Sequence, residues 1–243
     1  MSQLAKKGTL YLIPTNLSEP FSPAQILPLE VITTTLRLNN FIAENAKVTR
    51  AFLKAAGVTR PMAEISIVEL NKHARAATQS NIDDLLAPLI AGFDVGLVSD
   101  AGAPAVADPG SLVVAAAHRN QITVRPLVGA SSILLGLMAS GLNGQSFAFH
   151  GYLAQDKLAR KVAIQTLERE STLKQMTQLF IETPYRNQAL IEDLLTHLSS
   201  NTKLCVASDL TGEHEQIQTK LVSHWRKTPP LLEKRPTLFL FLA

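Results

Sequence analysis

Cysteine is almost missing from this chain, which has Cys205 as its single cysteine among 243 residues. One cysteine cannot form a disulfide within the chain, so its composition favours a reducing compartment such as the cytoplasm. Cys205 lies in the apolar run KLCVAS, and this setting indicates a buried core residue rather than a reactive thiol.

Long apolar runs are missing as well. The N-terminal stretch MSQLAKKGTLYLIP is basic, but its apolar part is too short for a signal peptide. The segment closest to a membrane span, residues 126–149, is interrupted by glycines, serines, Asn143 and Gln145. It therefore lacks the roughly 20 apolar residues that a membrane helix needs. We expect no membrane association and a cytoplasmic location.

The signatures of several chemistries are also missing. The six histidines show no HExxH pattern and there is no CxxC pair, so we expect no metal site. Neither GxGxxG nor GxxxxGK[ST] occurs, and GASSI lacks the GxSxG elbow of serine hydrolases. Aromatic residues make up only 5% of the chain, which predicts few base-stacking platforms for RNA. The net charge of +3 is compatible with a polyanionic partner but does not by itself indicate one.

Hydrophobic residues make up 46% of the chain, which is enough to build a packed core. Short apolar β-type runs alternate with helix-length segments from TLYLIP to ITVRPLV, and this alternation predicts a doubly wound parallel sheet. The pattern restarts after VGASS and ends in EQIQTKLV and PTLFLFLA, whose short links predict a mixed sheet. The sequence therefore predicts an α/β protein with two domains, residues 1–127 and 128–243.

The stretch LVSDAGAPAVADPG follows a predicted strand and precedes a predicted helix. Ligands of open α/β sheets bind beyond the carboxyl ends of the strands. Two carboxylates would repel a pyrophosphate, so this loop suits ribose hydroxyls or a cationic ligand. Asp108 precedes Pro109 and is expected to be a helix N-cap. Asp100 has no helix to cap, and either binds a ligand or forms a turn.

A second turn, LVGASSI, again joins a predicted strand to a helix. Gly129, Ser131 and Ser132 could present backbone amides and hydroxyls to the same ligand. The alternative is a plain strand-to-helix turn with a serine cap.

Six short motifs occur in order over residues 8–243: VSDAGAPAVADPG, PLVGASS, MASGL, FHGYLA, ETPYR and ASDLTGEHEQ. This series resembles the tetrapyrrole-methylase superfamily of S-adenosylmethionine-dependent methyltransferases. Within it the series is most similar to the branch of small-subunit ribosomal RNA 2′-O-ribose methyltransferase I, with its VSDAGTPxxSDPG signature. The resemblance implies two α/β domains with S-adenosylmethionine in the cleft between them, a homodimer, and an RNA substrate in the small ribosomal subunit. The positive sulfonium and ammonium groups of that cofactor suit an acidic loop.

The resemblance also assigns site residues. Those implied to contact the cofactor are Pro14, Asp100, Ala101, Gly102, Ala103, Ser131, Ser132, Met138, Ala139, Phe180 and Pro236. Glu182 is an alternative to Phe180 in that set. The sequence departs from the branch in two places. ATPIGNLxD is replaced by IPTNLSEP, and AEDTR by AENAKVTR, which keeps Glu44 and has Asn45 in place of the aspartate. Two alternatives therefore stay open: a methylase of a tetrapyrrole or another small molecule, and a catalytically degenerate cofactor-binding protein.

Methyl transfer to a ribose hydroxyl requires a group that removes a proton. Glu44, Asp100 and Glu182 are candidates because each lies at the tip of a predicted strand, although a structural salt bridge would also explain each of them. Arg186 lies in the first turn of a helix predicted over 185–199, where a cation opposes the helix dipole. This placement suggests recognition of a phosphate or carboxylate, and an ion pair with Glu182 is the alternative.

A basic cluster, Lys157, Arg160 and Lys161, begins a helix predicted over 157–171. Such clusters are usually solvated. They can also contact the phosphate backbone of a nucleic acid.

Overall fold

The structure is a computed structural model that describes residues 6–19, 21–70 and 79–243. It divides into two units, Met1–Ala130 and Ser131–Ala243, whereas the sequence places the domain boundary after residue 127. Each unit is an α/β layer structure built on its own five-stranded sheet.

The N-terminal unit follows the alternation read from the sequence. Its elements are β1 (Thr9–Ile13), α1 (Pro23–Ile26), α2 (Leu29–Arg37), β2 (Asn40–Ala43), α3 (Ala46–Ala55), a 3-10 turn (Met62–Glu64), β3 (Ser66–Glu69), α4 (Gln79–Asp84), α5 (Ala87–Ile90), β4 (Val95–Val98), α6 (Gly110–Arg119) and β5 (Thr123–Pro126). The helix predicted near 78–91 is two short helices, and residue 78 lies outside the described residues.

The five strands of this unit are all parallel, in the order β3-β2-β4-β1-β5. Alternate side chains of each strand point to opposite faces. Tyr11 and Phe41 enter a cluster with α2 and α3, while Leu10 and Ile42 enter a second cluster with α5 and α6. Both faces are therefore covered by helices, and the predicted doubly wound parallel sheet is confirmed.

The C-terminal unit carries the remaining elements. They are α7 (Ser132–Ser140), β6 (Phe147–Tyr152), α8 (Lys157–Lys174), β7 (Thr177–Glu182), a 3-10 turn (Pro184–Arg186), α9 (Asn187–His197), β8 (Lys203–Ser208), β9 (Gln216–Leu221), α10 (Val222–Trp225) and β10 (Thr237–Leu242).

The C-terminal sheet has the order β6-β7-β10-β8-β9. Only β6 and β7 are parallel among these neighbours, since β10 runs antiparallel to β7 and β8, and β9 antiparallel to β8. The predicted mixed sheet is therefore confirmed. Helix α7 approaches the sheet closely at Gly136, where an added Cβ would lie 2.4 Å from the Leu238 side chain.

The three residues of the basic cluster at the start of α8 have different environments. Arg160 is only 6% exposed, and its Nε donates to Asp193 Oδ2 of α9 at 2.6 Å. The same guanidinium donates to the carbonyls of Ala154 and Gln155. Arg160 therefore ties α8 to α9, while Lys157 and Lys161 are exposed.

Within the described ranges, no helix is both long enough and apolar enough to cross a membrane.

Candidate active site

Three neighbouring strands of the N-terminal sheet end at the same level. The register pairs Val98 of β4 with both Ile13 of β1 and Ala43 of β2. The residues that follow these strands therefore emerge together at the carboxyl edge of the sheet, where open α/β folds bind ligands. Glu44 and the 99–110 loop both begin there, as their predicted strand-tip positions require.

Hydrogen bonds hold the 99–110 loop against its neighbours. The Thr15 N–H, after β1, donates to the Gly102 carbonyl at 3.0 Å. The Ser99 hydroxyl donates to the same carbonyl at 3.2 Å. The Asp100 N–H donates to Glu44 Oε2 at 3.2 Å. The loop is thus fixed to the segments that follow β1 and β2, which places Asp100 beside Glu44.

The Asp108 side chain forms two hydrogen bonds within this loop. Its Oδ1 accepts from the Ala105 N–H at 2.9 Å and from the Gly110 N–H at 2.6 Å. Helix α6 begins at Gly110 with Pro109 as its N-cap, so the prediction that Asp108 is the N-cap is off by one residue. The carboxylate instead joins the loop to the first helical N–H. A Cβ at position 110 would lie 2.7 Å from that oxygen, so a larger residue there would displace the Asp108 carboxylate.

The loop backbone is strained at two alanines. Ala105 and Ala107 have φ values of 66° and 59°, in the left-handed region that costs residues with a Cβ about 1–2 kcal/mol each. Strain of this kind persists where surrounding contacts hold it, and it is concentrated at binding and catalytic sites. The loop geometry therefore points to a ligand-binding role.

The carboxyl edge of the N-terminal sheet is also distinguished by its negative charge. Burial raises the pKa of Asp108, and the nearby charges of Glu44 and Asp100 raise it further, although the two N–H donors act in the opposite direction. Three carboxylates therefore converge at one edge, which favours a positively charged ligand. Reasoning from the sequence assigned Asp108 to helix capping and missed this convergence. The presence of two aspartates in one loop was the sequence feature that could have predicted this convergence.

Asp108→Asn should alter the pH dependence of stability. The raised pKa in the folded state favours the protonated carboxyl group, so its contribution to stability is present below the unfolded value near pH 4 and is lost as pH rises through the folded value. The asparagine keeps an acceptor oxygen but does not ionise. We expect the variant to gain stability relative to the parent as pH rises from 4. Urea unfolding at several pH values measures this, and a difference independent of pH would contradict it.

The other predicted cofactor contacts of the N-terminal unit lie at this edge. Pro14 and Gly102 are buried, Ala103 is half-buried and Ala101 is exposed. Gly102 has a φ of +72°, which a residue with a side chain would adopt only at a cost.

In the C-terminal unit, Ser131 is the N-cap of α7, and its side chain makes no capping hydrogen bond. Ser132 is half-buried and begins the helix, while Ala139 is exposed and Met138 is 78% exposed on it. Pro236 is exposed just before β10. These residues remain predicted cofactor contacts.

Phe180 has a different environment from the one that the resemblance implies. Its ring has no exposed surface and stacks on Phe239 with centroids 6.0 Å apart. A second ring, that of Phe241, meets it edge-on at 5.9 Å. The Phe180 side chain therefore belongs to the core of the C-terminal unit, because a fully covered ring cannot contact a ligand in this conformation.

Glu182 and Arg186 form an ion pair. Glu182 Oε1 accepts from Arg186 Nη2 at 2.6 Å and from Nε at 3.0 Å, and the Glu182 side chain is only 1% exposed. The guanidinium also lies over the Tyr185 ring, 5.6 Å from its centroid. Helix α9 begins at Asn187, so Arg186 is its N-cap residue rather than part of its first turn. The ion-pair alternative is the arrangement observed.

No group of three or more histidine, cysteine, aspartate or glutamate side chains in the described part of the chain is arranged to hold a metal ion.

Comparisons with known proteins add independent information. No family model matches the chain. The ribosomal RNA small subunit methyltransferase I of Synechocystis sp. is 33% identical over 91% of this chain and 76% of that protein. The protein of the same name from Halalkalibacterium halodurans is 31% identical over 91% of this chain and 72% of its own length.

Solved structures share the fold. The methyltransferase CobJ superposes with a TM-score of 0.62 at 17% identity, over 97% of this chain and 94% of that chain. The uroporphyrin-III-C-methyltransferase of Thermus thermophilus gives a TM-score of 0.56, also at 17% identity, over 97% and 92% of the two chains. These likenesses confirm the fold class, and the sequence relatives confirm the branch. The chain is a methyltransferase that belongs to the ribosomal RNA small subunit methyltransferase I family.

Proposed function

We propose that this methyltransferase transfers the methyl group of S-adenosylmethionine to a ribose 2′-hydroxyl of small-subunit ribosomal RNA. The observation that carries the proposal is the convergence of Glu44, Asp100 and Asp108 at the carboxyl edge of the N-terminal sheet, in a chain whose relatives bear the name of a ribosomal RNA methyltransferase. A cytoplasmic homodimer is a further part of this proposal.

The residues at this edge fit the proposed cofactor. S-adenosylmethionine supplies a methyl group on a positively charged sulfonium, and it also carries an ammonium group and ribose hydroxyls. The carboxylates of Asp100 and Glu44 can attract the cations and accept from the hydroxyls. Gly102 and the short Ala101 and Ala103 side chains permit close approach of a ligand to the backbone. The loop is already ordered by internal hydrogen bonds, which reduces the cost of binding.

Glu44 is the proposed proton acceptor for the ribose hydroxyl. Glu182 is committed to Arg186, whereas Glu44 lies at the acidic edge beside Asp100. A carboxylate within hydrogen-bonding reach of a bound hydroxyl can take its proton as the methyl group is transferred. Alignment of the hydroxyl with the methyl group in a water-poor site would supply most of the remaining rate enhancement.

The loss of the aspartate from the AEDTR pattern does not argue for a degenerate site. Asn45 is the N-cap of α3, and its Oδ1 accepts from the Lys47 N–H at 2.9 Å and the Val48 N–H at 3.4 Å. Asparagine and aspartate are about equally good at this position. The substitution therefore preserves the local structure that holds Glu44, immediately before it in the chain.

A tetrapyrrole acceptor has less support. The likeness to the tetrapyrrole methyltransferases is at 17% identity and concerns the fold, which many unrelated functions share.

A methyl-transfer assay tests the proposal. Purified protein and S-adenosylmethionine with a radioactive methyl group are incubated with small ribosomal subunits that lack ribose methylation. We expect label in the small-subunit RNA and, after digestion, a 2′-O-methyl nucleoside identified by mass spectrometry. Large subunits and a tetrapyrrole serve as control acceptors. Cofactor binding without transfer to RNA, or transfer to the tetrapyrrole alone, would reject the proposal.

A further inference from the structure

A groove lies at the amino edge of the N-terminal sheet, where its strands begin. The register pairs Val95 of β4 with both Leu10 of β1 and Asn40 of β2, so these three strands begin at nearly the same level. The groove has a volume of about 510 Å³ and is lined mainly by the residues that lead into the strands, 6–9, 37–40 and 92–94. Strand β1 has five residues, so about 17 Å separates this edge from the acidic carboxyl edge.

The groove is positively charged. Lys6 and Lys7 line it and are exposed. Among the described residues of its lining, Asp94 is the single carboxylate, and Arg37 Nη1 lies 2.8 Å from its Oδ2. Three cationic side chains and one carboxylate leave a net charge of +2. The two edges of the sheet therefore carry charges of opposite sign, and the amino edge suits a polyanion.

Hydrogen bonds hold the charged side chains of the groove in place. Lys7 Nζ donates to the Asn120 carbonyl at 2.6 Å. An ammonium group has three donors, so two of them remain for a ligand. Asp94 Oδ1 accepts from the Thr9 N–H at 2.8 Å, while its Oδ2 accepts from Arg37. This order reduces the cost of arranging the groove around a ligand.

The groove also presents an aromatic ring and two amides. Phe93 is 60% exposed, and it follows Gly92, whose φ of +94° turns the chain just before β4. Asn39 and Asn40 line the groove, and an amide side chain can both donate and accept. An exposed ring beside cations is typical of surfaces that bind single-stranded nucleic acid, because the ring stacks on a base while the cations contact the backbone.

We propose that this groove binds a single-stranded segment of RNA, with one unpaired base stacked on Phe93 and the adjoining phosphates near Lys6 and Lys7. The inference rests on the proposed RNA substrate and names a contact of that RNA away from the acidic edge. The base must be unpaired, because a base within a duplex has no face free for the ring. An acidic peptide would pair with the lysines, but it has no base to cover the ring.

The anisotropy of a fluorescently labelled single-stranded RNA tests the role of the ring. Phe93→Ala should weaken binding roughly 5- to 150-fold, the effect typical of losing one base–aromatic stack. Phe93→Tyr keeps an aromatic ring and should bind within about 2-fold of the parent. Phe147→Ala is the matched control, because Phe147 is a 40% exposed phenylalanine of the C-terminal unit.

The salt dependence of the same binding tests the lysines. The double variant Lys6→Ala, Lys7→Ala should reduce the slope of log affinity against log salt by about 1.4, because each phosphate contact on a single strand contributes about 0.7. Lys54→Ala with Lys203→Ala is the matched control, since it removes equal charge from exposed lysines outside the groove. Polyglutamate at an equal concentration of charge should not displace the RNA.

Four outcomes would overturn the inference. These are equal affinities of Phe93→Ala and the parent, equal salt slopes of the two double-lysine variants, equal binding of single-stranded and duplex RNA by the parent, and displacement of the RNA by polyglutamate, which would indicate an acidic peptide as the occupant. Methylation of small subunits by the parent, together with unchanged RNA affinity in Phe93→Ala, would reject the groove and leave the proposed function intact. Failure of methylation, together with weakened RNA binding in Phe93→Ala, would reject the proposed function and leave the groove as an RNA site.

Discussion

Asp100→Asn is expected to weaken S-adenosylmethionine binding by roughly 10- to 100-fold. Two opposite charges 4 Å apart near a protein surface attract by about 4 kcal/mol, and desolvation offsets part of this. A net loss of about 1.4–2.8 kcal/mol corresponds to the stated factor. Asparagine is nearly isosteric, so the loop that accepts the Thr15 N–H and donates to Glu44 should persist. Isothermal titration calorimetry of the two proteins gives the ratio.

The control variant is Asp84→Asn, because Asp84 is an exposed carboxylate at the end of α4 in the same unit. It should bind the cofactor as the parent does. S-adenosylhomocysteine provides a second comparison, since its sulfur is uncharged and its binding should depend less on Asp100. Unchanged affinity of Asp100→Asn for S-adenosylmethionine would remove the acidic edge from the proposed cofactor site.

Arg160→Ala is expected to lower the free energy of unfolding by about 3–5 kcal/mol, because removing one partner of a buried ion pair leaves the other charge uncompensated. The Arg160 and Asp193 side chains are 7% and 22% exposed, and the substitution also removes the donors to two carbonyl groups. Urea unfolding measures the change.

Lys161→Ala is the matched control one residue away, and its exposed side chain predicts a change within about 0.5 kcal/mol. The double variant Arg160→Ala, Asp193→Ala should recover part of the loss, because it leaves no lone buried charge. Equal stability of Arg160→Ala and Lys161→Ala would contradict the structural role. The distinction bears on the proposed RNA substrate, because Lys157 and Lys161 are exposed whereas Arg160, the third residue of this basic cluster, is buried.

Much of the fold was readable from the chain. The runs TLYLIP and DVGLVS predict the neighbouring strands β1 and β4, and PLEVITTTLRL predicts α2 despite its β-branched residues. These patterns are strong because a strand covered on both faces must be apolar throughout, while a surface helix needs an apolar stripe. The positions of Glu44 and Asp100 follow, because parallel strands have their carboxyl ends at one edge.

The contacts of individual side chains could be predicted from the sequence much less well. Periodicity assigns a residue to a face, but it does not say which side chain of another element will meet it. The resemblance implied that Phe180 contacts the cofactor, whereas in the structure its ring stacks against Phe239 in the core. In the sequence Arg160 belongs to the same basic cluster as its lysine neighbours. In the structure it lies on the face of α8 that meets α9, where it pairs with Asp193.

The order of apolar runs and turns in this chain was sufficient for the α/β class, the parallel first sheet and the mixed second sheet, because each of these depends on local periodicity. The methyltransferase family was implied by the resemblance of six short motifs to that family. The grouping of Asp108 with Glu44 and the ion pair of Arg160 with Asp193 both came from the folded structure. Each of these brings together residues that are distant in the chain, and long-range packing controls which of them meet.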